Sequence, residues 1–318
     1  MNAITPQNLV NLGNLRVSRQ GYGAMGLSSA YGKAEDADSI KTVHRAIELG
    51  IDFFDTAEGY GQGHNETLLG QAIAGKRNGL TIATKFAGTL QDGDVGAAAK
   101  AVEGSLKRLN IDVIDLYYLH RYDARYPIED VVGALGRLVE AGKIRAVGLS
   151  EVSDASLRRA HATYPITAVQ SEYSLWTRDF EADVLPTTRE LGIGYVAYSP
   201  LGRGFLAGQE SSGEGDRRSI HPRYRPEAVA ANKLRRQAIE AVAARHNVSI
   251  GQVSLAWVLS KGVVPIPGTR HIAHLEQNWA ANNIVLSAED FTALEAAFPP
   301  GATAGERYPA EQLVKVNA

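Results

Sequence analysis

The sequence predicts a closed (β/α)8 barrel, and three observations carry that prediction. Short β-branched or aromatic runs alternate with longer segments of helical period, the runs number eight, and no linker divides the chain. The runs begin near Gln20, Ile51, Leu80, Ile114, Ile144, Thr167, Gly194 and Gly262. Between them, residues 38–49, 95–109, 128–140 and 154–163 place apolar side chains every three or four positions, as amphipathic helices do, and Gly50, Asn110 and Gly142 read as helix stops. The first six strand-to-strand intervals are about 23 to 34 residues, enough for a strand, a helix and two short loops. The seventh is far longer. It holds a Gly/Ser/Arg-rich stretch, 209–225, expected to act as a lid or binding loop, then helices at 233–246 and 249–260. Helices at 272–281 and 288–298 follow the last strand, and residues 9–12 and 15–18 around Gly13-Asn14 predict a β-hairpin outside the repeat. A closed barrel accepts this order without edge strands, so residues 1–318 are expected to form one domain.

Composition narrows the function. The 318 residues carry 33 Lys+Arg against 35 Asp+Glu, a net charge of -2, which leaves no global basic field for nucleic acid or an anionic membrane. With 44% hydrophobic and 21% charged residues the chain can bury a full core. It has no cysteine, so thiolate catalysis, iron–sulfur clusters and Cys-based zinc sites are excluded. The N-terminus lacks a basic segment followed by an apolar run, and no stretch has the length of a membrane span. A soluble, cytoplasmic protein is expected, with its oligomeric state unread. The histidines show no metal-ligand spacing, so no metal is expected.

Gly21-Tyr22-Gly23-Ala24-Met25-Gly26 matches the G-x-G-x-x-G pattern of a dinucleotide-binding turn. That pattern requires a helix opening on the glycines, and residues 27–32 are too rich in Ser and Gly to start one. The glycines are expected instead to let a strand pack closely or a ligand approach.

Barrel active sites form at the carboxyl ends of the strands. Asp55 ends the second predicted strand, Tyr60 lies in the loop after it, Lys85 ends the third and His120 the fourth. This set suits proton donation to a carbonyl oxygen while a hydride reaches its carbon. A free phenol, with pKa about 10, is a slow acid at neutral pH. Lys85 beside Tyr60 is expected to lower that pKa, Asp55 to keep the ammonium charged, and His120 to orient phenol and carbonyl. Taken singly, each residue has a structural alternative: a turn cap, a packing tyrosine, a neutralising lysine. Asp112 and Asp115 form a second carboxylate pair but lie toward the entry end of their strand, where capping is the better reading.

These residues stand in a sequence that resembles the aldo-keto reductases, in particular the perakine-reductase-like bacterial and plant branch. The resemblance runs from about Leu12 to Phe298. It rests on DFFDTAEGYG (52–61), ATKF (83–86), DLYYLHR (115–121), GLSE (148–151), Gln170 in VQSEYS, YSPLGRG (198–204) and IPGTR (266–270) followed by Asn278. It implies a catalytic tetrad of Asp55, Tyr60, Lys85 and His120, the four that the barrel argument selects. It further implies that Ser150 and Gln170 hold a nicotinamide carboxamide and that Tyr198 stacks on the ring. Ser199, Leu201, Gly202, Arg203 and Gly204 are then expected at the pyrophosphate, and Gly268, Thr269, Arg270, His274, Gln277 and Asn278 at the adenosine end. Arg270 and Thr269 near a 2'-phosphate favour NADPH over NADH. Many relatives carry Arg at the position of His274, Glu at Gln277 and Asn at Glu151; a neutral histidine grips phosphate less firmly than arginine.

The implied function is reversible NADPH-dependent reduction of an aldehyde or ketone to an alcohol, with Tyr60 as general acid and base. Met25 and Phe86, with Tyr122 and Trp176 from neighbouring loops, are expected to line an apolar substrate pocket. The runner-up is an NADPH-binding redox sensor or regulatory subunit with little turnover, a use the same fold serves in potassium-channel β-subunits. An aldolase using Lys85 as a Schiff base leaves the cofactor motifs unexplained.

Overall fold

The computed structural model describes residues 8–28, 32, 34–86, 95–209, 216–314 and 316. A hairpin, β1 (Leu9–Leu12) and β2 (Leu15–Ser18), precedes eight parallel strands: β3 (Tyr22–Gly23), β4 (Phe53–Asp55), β5 (Thr81–Phe86), β6 (Leu116–Leu119), β7 (Val147–Ser150), β8 (Ile166–Glu172), β9 (Gly194–Tyr198) and β10 (Val264–Pro265). Their spatial order is their chain order, as a (β/α)8 barrel requires. Helices α1 (Asp36–Leu49), α2 (His64–Ile73), α3 (Val95–Leu109), α4 (Ile128–Glu140), α5 (Asp154–Thr163) and α6 (Val184–Glu190) connect β3 through β9. The long connection from β9 to β10 holds α7 (Pro226–His246) and α8 (Ile250–Ser260), and α9 (Ile272–Ala280), α10 (Ala288–Ala297) and α11 (Ala310–Leu313) follow. Residues 210–215 of the predicted lid lie outside the described residues; those around them form short 3-10 turns at Gly202–Ala207, Arg217–Ile220 and Pro222–Tyr224.

The barrel closes through a seam weaker than its other ladders. Gly21 N donates to Pro265 O (2.9 Å) and Gly23 N to Pro267 O (3.4 Å). The return bond in this parallel register would come from the N–H of residue 267, and proline has none. Gly21 and Gly23 of the G-x-G-x-x-G run serve this seam, with Gly268 opposite: a Cβ on Gly23 would lie 2.7 Å from Ile266 O, and one on Gly268 would lie 2.5 Å from Gly23 O. Only Gly lets the first and last strands come this close.

Strand alternation sorts side chains into two cores. Phe53, Ala83, Leu116, Tyr118, Ala168, Val196 and Val264 point inward, and Leu12 and Val17 of the hairpin pack against them as a plug. Ser18 N donates to Asp52 Oδ1 (2.6 Å), fastening hairpin to barrel. The intervening residues, such as Phe54, Ile82, Tyr117, Leu149 and Val169, pack against the helices. Asp115 also serves structure, accepting from Ile82 N (2.8 Å) and pairing with Arg77 and Arg145.

Candidate active site

Two residues beyond five of these inward positions, the same alternation delivers a polar one. Phe53 is followed by Asp55, Ala83 by Lys85, Tyr118 by His120, Ala168 by Gln170 and Val196 by Tyr198. The carboxyl end of the barrel is therefore a polar layer resting on an apolar plug, which keeps water from below and holds these side chains on rigid strands. Tyr60 arrives differently. It starts a 3-10 turn (Tyr60–Gly63) in which Gly61, Gln62 and Gly63 all have positive φ (56°, 54° and 88°), folding the chain back over the strand ends before α2 begins.

The structure brings the four predicted residues together. Lys85 Nζ donates to Asp55 Oδ1 (2.5 Å), to Thr56 O (2.7 Å) and to the Tyr60 hydroxyl (3.4 Å). Gln170 Nε2 reaches across to Asp55 Oδ2 (2.8 Å). The Tyr60 and His120 rings meet edge to face at 5.9 Å and 82°. Burial works against the Lys85 ammonium, but Asp55 and Tyr60 together more than offset it and hold its pKa above the ordinary value. His120 is pushed well below its ordinary value by burial first, then by the charges of Lys85 and Arg121, so its ring is neutral. Tyr60 departs from expectation. Lys85 does pull its pKa down, but burial pushes it up more strongly, with Asp55 adding to the rise, so the phenol keeps its proton at neutral pH.

A cavity of about 400 Å³ opens from these residues. Its lining includes Met25, Asp55, Tyr60, Gln170, Tyr198, Ser199, Leu201, Arg203 and Gly204, together with Gly268, Thr269, Arg270, His274, Gln277 and Asn278. Ser150, at the end of β7, accepts a hydrogen bond from Arg121 Nη1 (3.1 Å). In the turn from Ser199 to Gly204, Gly202 N and Gly204 N already donate to Ser199 O (2.8 Å) and Leu201 O (3.0 Å), and Arg203 pairs with buried Glu172 (2.8 Å). The turn is thus held by internal bonds. Phe86 is buried at the end of β5. Tyr122 and Trp176 are placed behind the site: Tyr122 donates its hydroxyl to Tyr126 O (2.7 Å), and Trp176 packs edge-on to Phe205 (4.2 Å) beneath Gly202.

Several neighbours were given no role by the sequence reading. Arg121 reaches Ser150 and His120 O because β6 ends at Leu119, and His271 lines the cavity with its ring 5.4 Å from His274. Glu172, Arg307 and Tyr308 come from segments that only the folded chain brings together.

A barrel whose carboxyl mouth sets a buried Lys–Asp pair beside a protonated phenol, on the wall of a cavity, has the features of an enzyme active site. Comparison with known proteins makes the class specific. Residues 20–298 match the family model "Aldo/keto reductase family". A protein of Glycine max named "Probable aldo-keto reductase 1" is 45% identical over 306 residues, covering 92% of this chain and 88% of that one. Among solved structures, the glycerol dehydrogenase AKR11B4 of Gluconobacter oxydans is similar with a TM-score of 0.81 at 28% identity, covering 93% of this chain and 98% of that one. An aldo/keto reductase from Klebsiella pneumoniae in complex with NADP and acetate is similar with a TM-score of 0.75 at 28% identity, covering 95% and 99%. The chain belongs to the aldo/keto reductase family, a family of oxidoreductases.

Proposed function

We propose that the protein reversibly reduces an aldehyde or ketone to the alcohol with NADPH, using Tyr60 as general acid and base. The observation that carries this reading is Lys85 Nζ, which bonds the Asp55 carboxylate and the Tyr60 hydroxyl at once. Bound NADPH supplies a hydride to the carbonyl carbon. Tyr60 gives its proton to the carbonyl oxygen as negative charge develops there, and the resulting phenolate is stabilised by Lys85 until solvent returns the proton. His120, neutral and edge-on to Tyr60, orients the carbonyl by hydrogen bonding. In the reverse direction Tyr60 accepts the alcohol proton.

The cavity lining fits the dinucleotide. An aromatic ring (Tyr198), an amide (Gln170) and a hydroxyl (Ser150) stand at the catalytic end, suited to a flat carboxamide-bearing ring. Since Arg121 donates to Ser150 Oγ, the serine's own proton is available for a carboxamide oxygen. Since Gln170 uses Nε2 on Asp55, its Oε1 can accept from the carboxamide nitrogen. The Ser199 to Gly204 turn would carry the pyrophosphate, and Gly268, Thr269, Arg270, His274, Gln277 and Asn278 the adenosine end. Arg270 with the two histidines there favours a 2'-phosphate, hence NADPH over NADH. The Klebsiella relatives in complex with NADP and with NADPH support the same choice. Met25, which lines the cavity, directs the substrate side toward apolar or aromatic carbonyls, while Phe86, Tyr122 and Trp176 are buried and stand outside the cavity lining.

The test is steady-state oxidation of NADPH, and separately of NADH, with a panel of aromatic and aliphatic aldehydes. Turnover with a lower KM for NADPH is expected. Tight NADPH binding without turnover on any carbonyl of the panel would overturn the reductase reading in favour of a binding module.

A further inference from the structure

The chain beyond α10 crosses the carboxyl mouth of the barrel, and nearly every residue from 303 to 308 is tied down. Thr303 Oγ1 donates to Trp176 O (2.8 Å). The Asn232 amide bonds Ala304 both ways, donating to its carbonyl (3.0 Å) and accepting from its N–H (2.9 Å). Arg223 Nε donates to Gly305 O (3.1 Å). Arg307 is the anchor: Nη1 and Nη2 each reach Glu151 Oε2 at 3.1 Å, Nε lies 3.1 Å from Asp179, and its carbonyl accepts from His221 Nδ1 (3.0 Å). Arg307 and Glu151 are both buried, so the pair belongs to the interior of the fold.

Glu151 directly follows Ser150 and holds a left-handed backbone, with φ of 58°. That conformation is uncommon for a residue with a long side chain and persists where the surroundings over-determine it. Here Arg307 and the N–H of Glu172, which donates to Glu151 Oε1 (2.8 Å), do so. The strap is thus locked to the strand end that carries Ser150.

What the lock delivers is Tyr308. Its hydroxyl lies 2.8 Å from that of Tyr198, its ring sits under the Arg203 guanidinium at 5.0 Å, and the His221 ring packs beside it at 5.4 Å. Burial keeps the Tyr198 phenol protonated, so its hydroxyl has a proton to place in this bond. A phenolic oxygen lies on the axis about which the ring turns, so this bond pins the ring's far end and thereby its χ1 and depth.

We infer that Tyr308 is a positioning residue that, through its bond to the Tyr198 hydroxyl, sets the depth of the ring against which the nicotinamide packs. The inference rests on the placement of Tyr198 at the nicotinamide proposed above.

Tyr308→Phe removes one oxygen and keeps the ring under Arg203, so the strap itself is preserved. The measurement is single-turnover hydride transfer from NADPH in Tyr308→Phe, Tyr198→Phe and the double variant, with NADPH affinity of each and of Tyr198→Ala read by fluorescence titration. Both single variants delete the same bond. Each is expected to slow hydride transfer by about two- to tenfold, and the double variant by no more than either alone. A product of the two separate losses in the double variant, or unchanged transfer in Tyr308→Phe while Tyr198→Ala weakens NADPH binding, overturns the inference alone. Unaltered NADPH affinity in Tyr198→Ala overturns the placement of Tyr198, and the inference with it.

Discussion

Gln170 on β8 donates to the Asp55 carboxylate on β4 over 2.8 Å, joining two strands that stand four places apart around the barrel. The bond spans the interior, and with Lys85 on the other carboxylate oxygen it leaves Asp55 one fixed orientation. Gln170 therefore couples the Lys85–Asp55 pair to the side of the cavity proposed for the nicotinamide. Replacing it with Leu removes a hydrogen bond to a charged group, worth about 1.5–3 kcal/mol, together with the acceptor aimed at the carboxamide. Gln170→Leu is expected to weaken NADPH binding about tenfold or more and to lower kcat as well, measured by fluorescence titration and steady-state kinetics. An effect on thermal stability alone would limit Gln170 to packing.

The proposed placement of Arg270 at a 2'-phosphate makes a separate prediction. The Arg270 side chain lines the cavity, with Nη1 donating to Gly32 O (3.1 Å). A guanidinium facing a 2'-phosphate contributes charge-assisted bonds that NADH cannot use. Arg270→Ala should raise KM for NADPH about tenfold or more and leave KM for NADH within about twofold. Equal loss with both cofactors would place Arg270 away from the 2'-phosphate.

The seam between the first and last strands is expected to be sensitive to a single methyl group. A Cβ on Gly23 would lie 2.7 Å from the backbone oxygen of Ile266, and backbone cannot swing away as a side chain can. Gly23→Ala should lose about 1–3 kcal/mol in urea unfolding, with an unchanged m-value if only the native seam is affected. Wild-type stability would show that the seam relaxes freely.

Acid stability depends on a histidine outside the catalytic four. Burial first, then the charge of Arg203, lowers the His221 pKa to about 4, against about 6.5 in an unfolded chain. Between those values the unfolded chain binds a proton that the folded chain does not. Stability present above pH 6.5 is therefore lost as the pH falls to about 4, by about 3 kcal/mol from this group. His120, also lowered, acts in the same direction. Asn at 221 can still donate to Arg307 O without titrating, so the melting temperature of His221→Asn is expected to fall less than wild type over that range. Parallel curves would show that His221 does not contribute.

The barrel was legible because its strands and helices carry local periods. The predicted helices at 128–140 and 154–163 coincide with α4 and α5, since each has a sharp apolar stripe and a clear start. The first and last strands proved shorter than their apolar runs, because Pro265 and Pro267 withhold the N–H groups that would extend the ladder. Helix α7 begins at Pro226, seven residues ahead of its predicted start, because proline suits a first helical turn while the polar surface beyond it shows little periodicity. Asp55, Lys85 and His120 could be picked out because barrel chemistry belongs at strand ends, and period-two alternation aims them inward. Arg307 and Tyr308 could not, since they follow the last repeat and meet Glu151 and Tyr198 only through tertiary contacts. The sign of the Tyr60 shift also escaped the sequence: Lys85 is visible there, but the depth of burial that outweighs it is not.

The central claim is that Tyr60 moves the proton, and Tyr60→Phe tests it most directly. The measurement is hydride transfer from NADPH to an accepted aldehyde, beside NADPH affinity, in wild type and the variant. A loss of about 10²–10⁴-fold in rate is expected, with cofactor affinity within a few-fold of wild type. A variant that reduces the aldehyde at near the wild-type rate would contradict it.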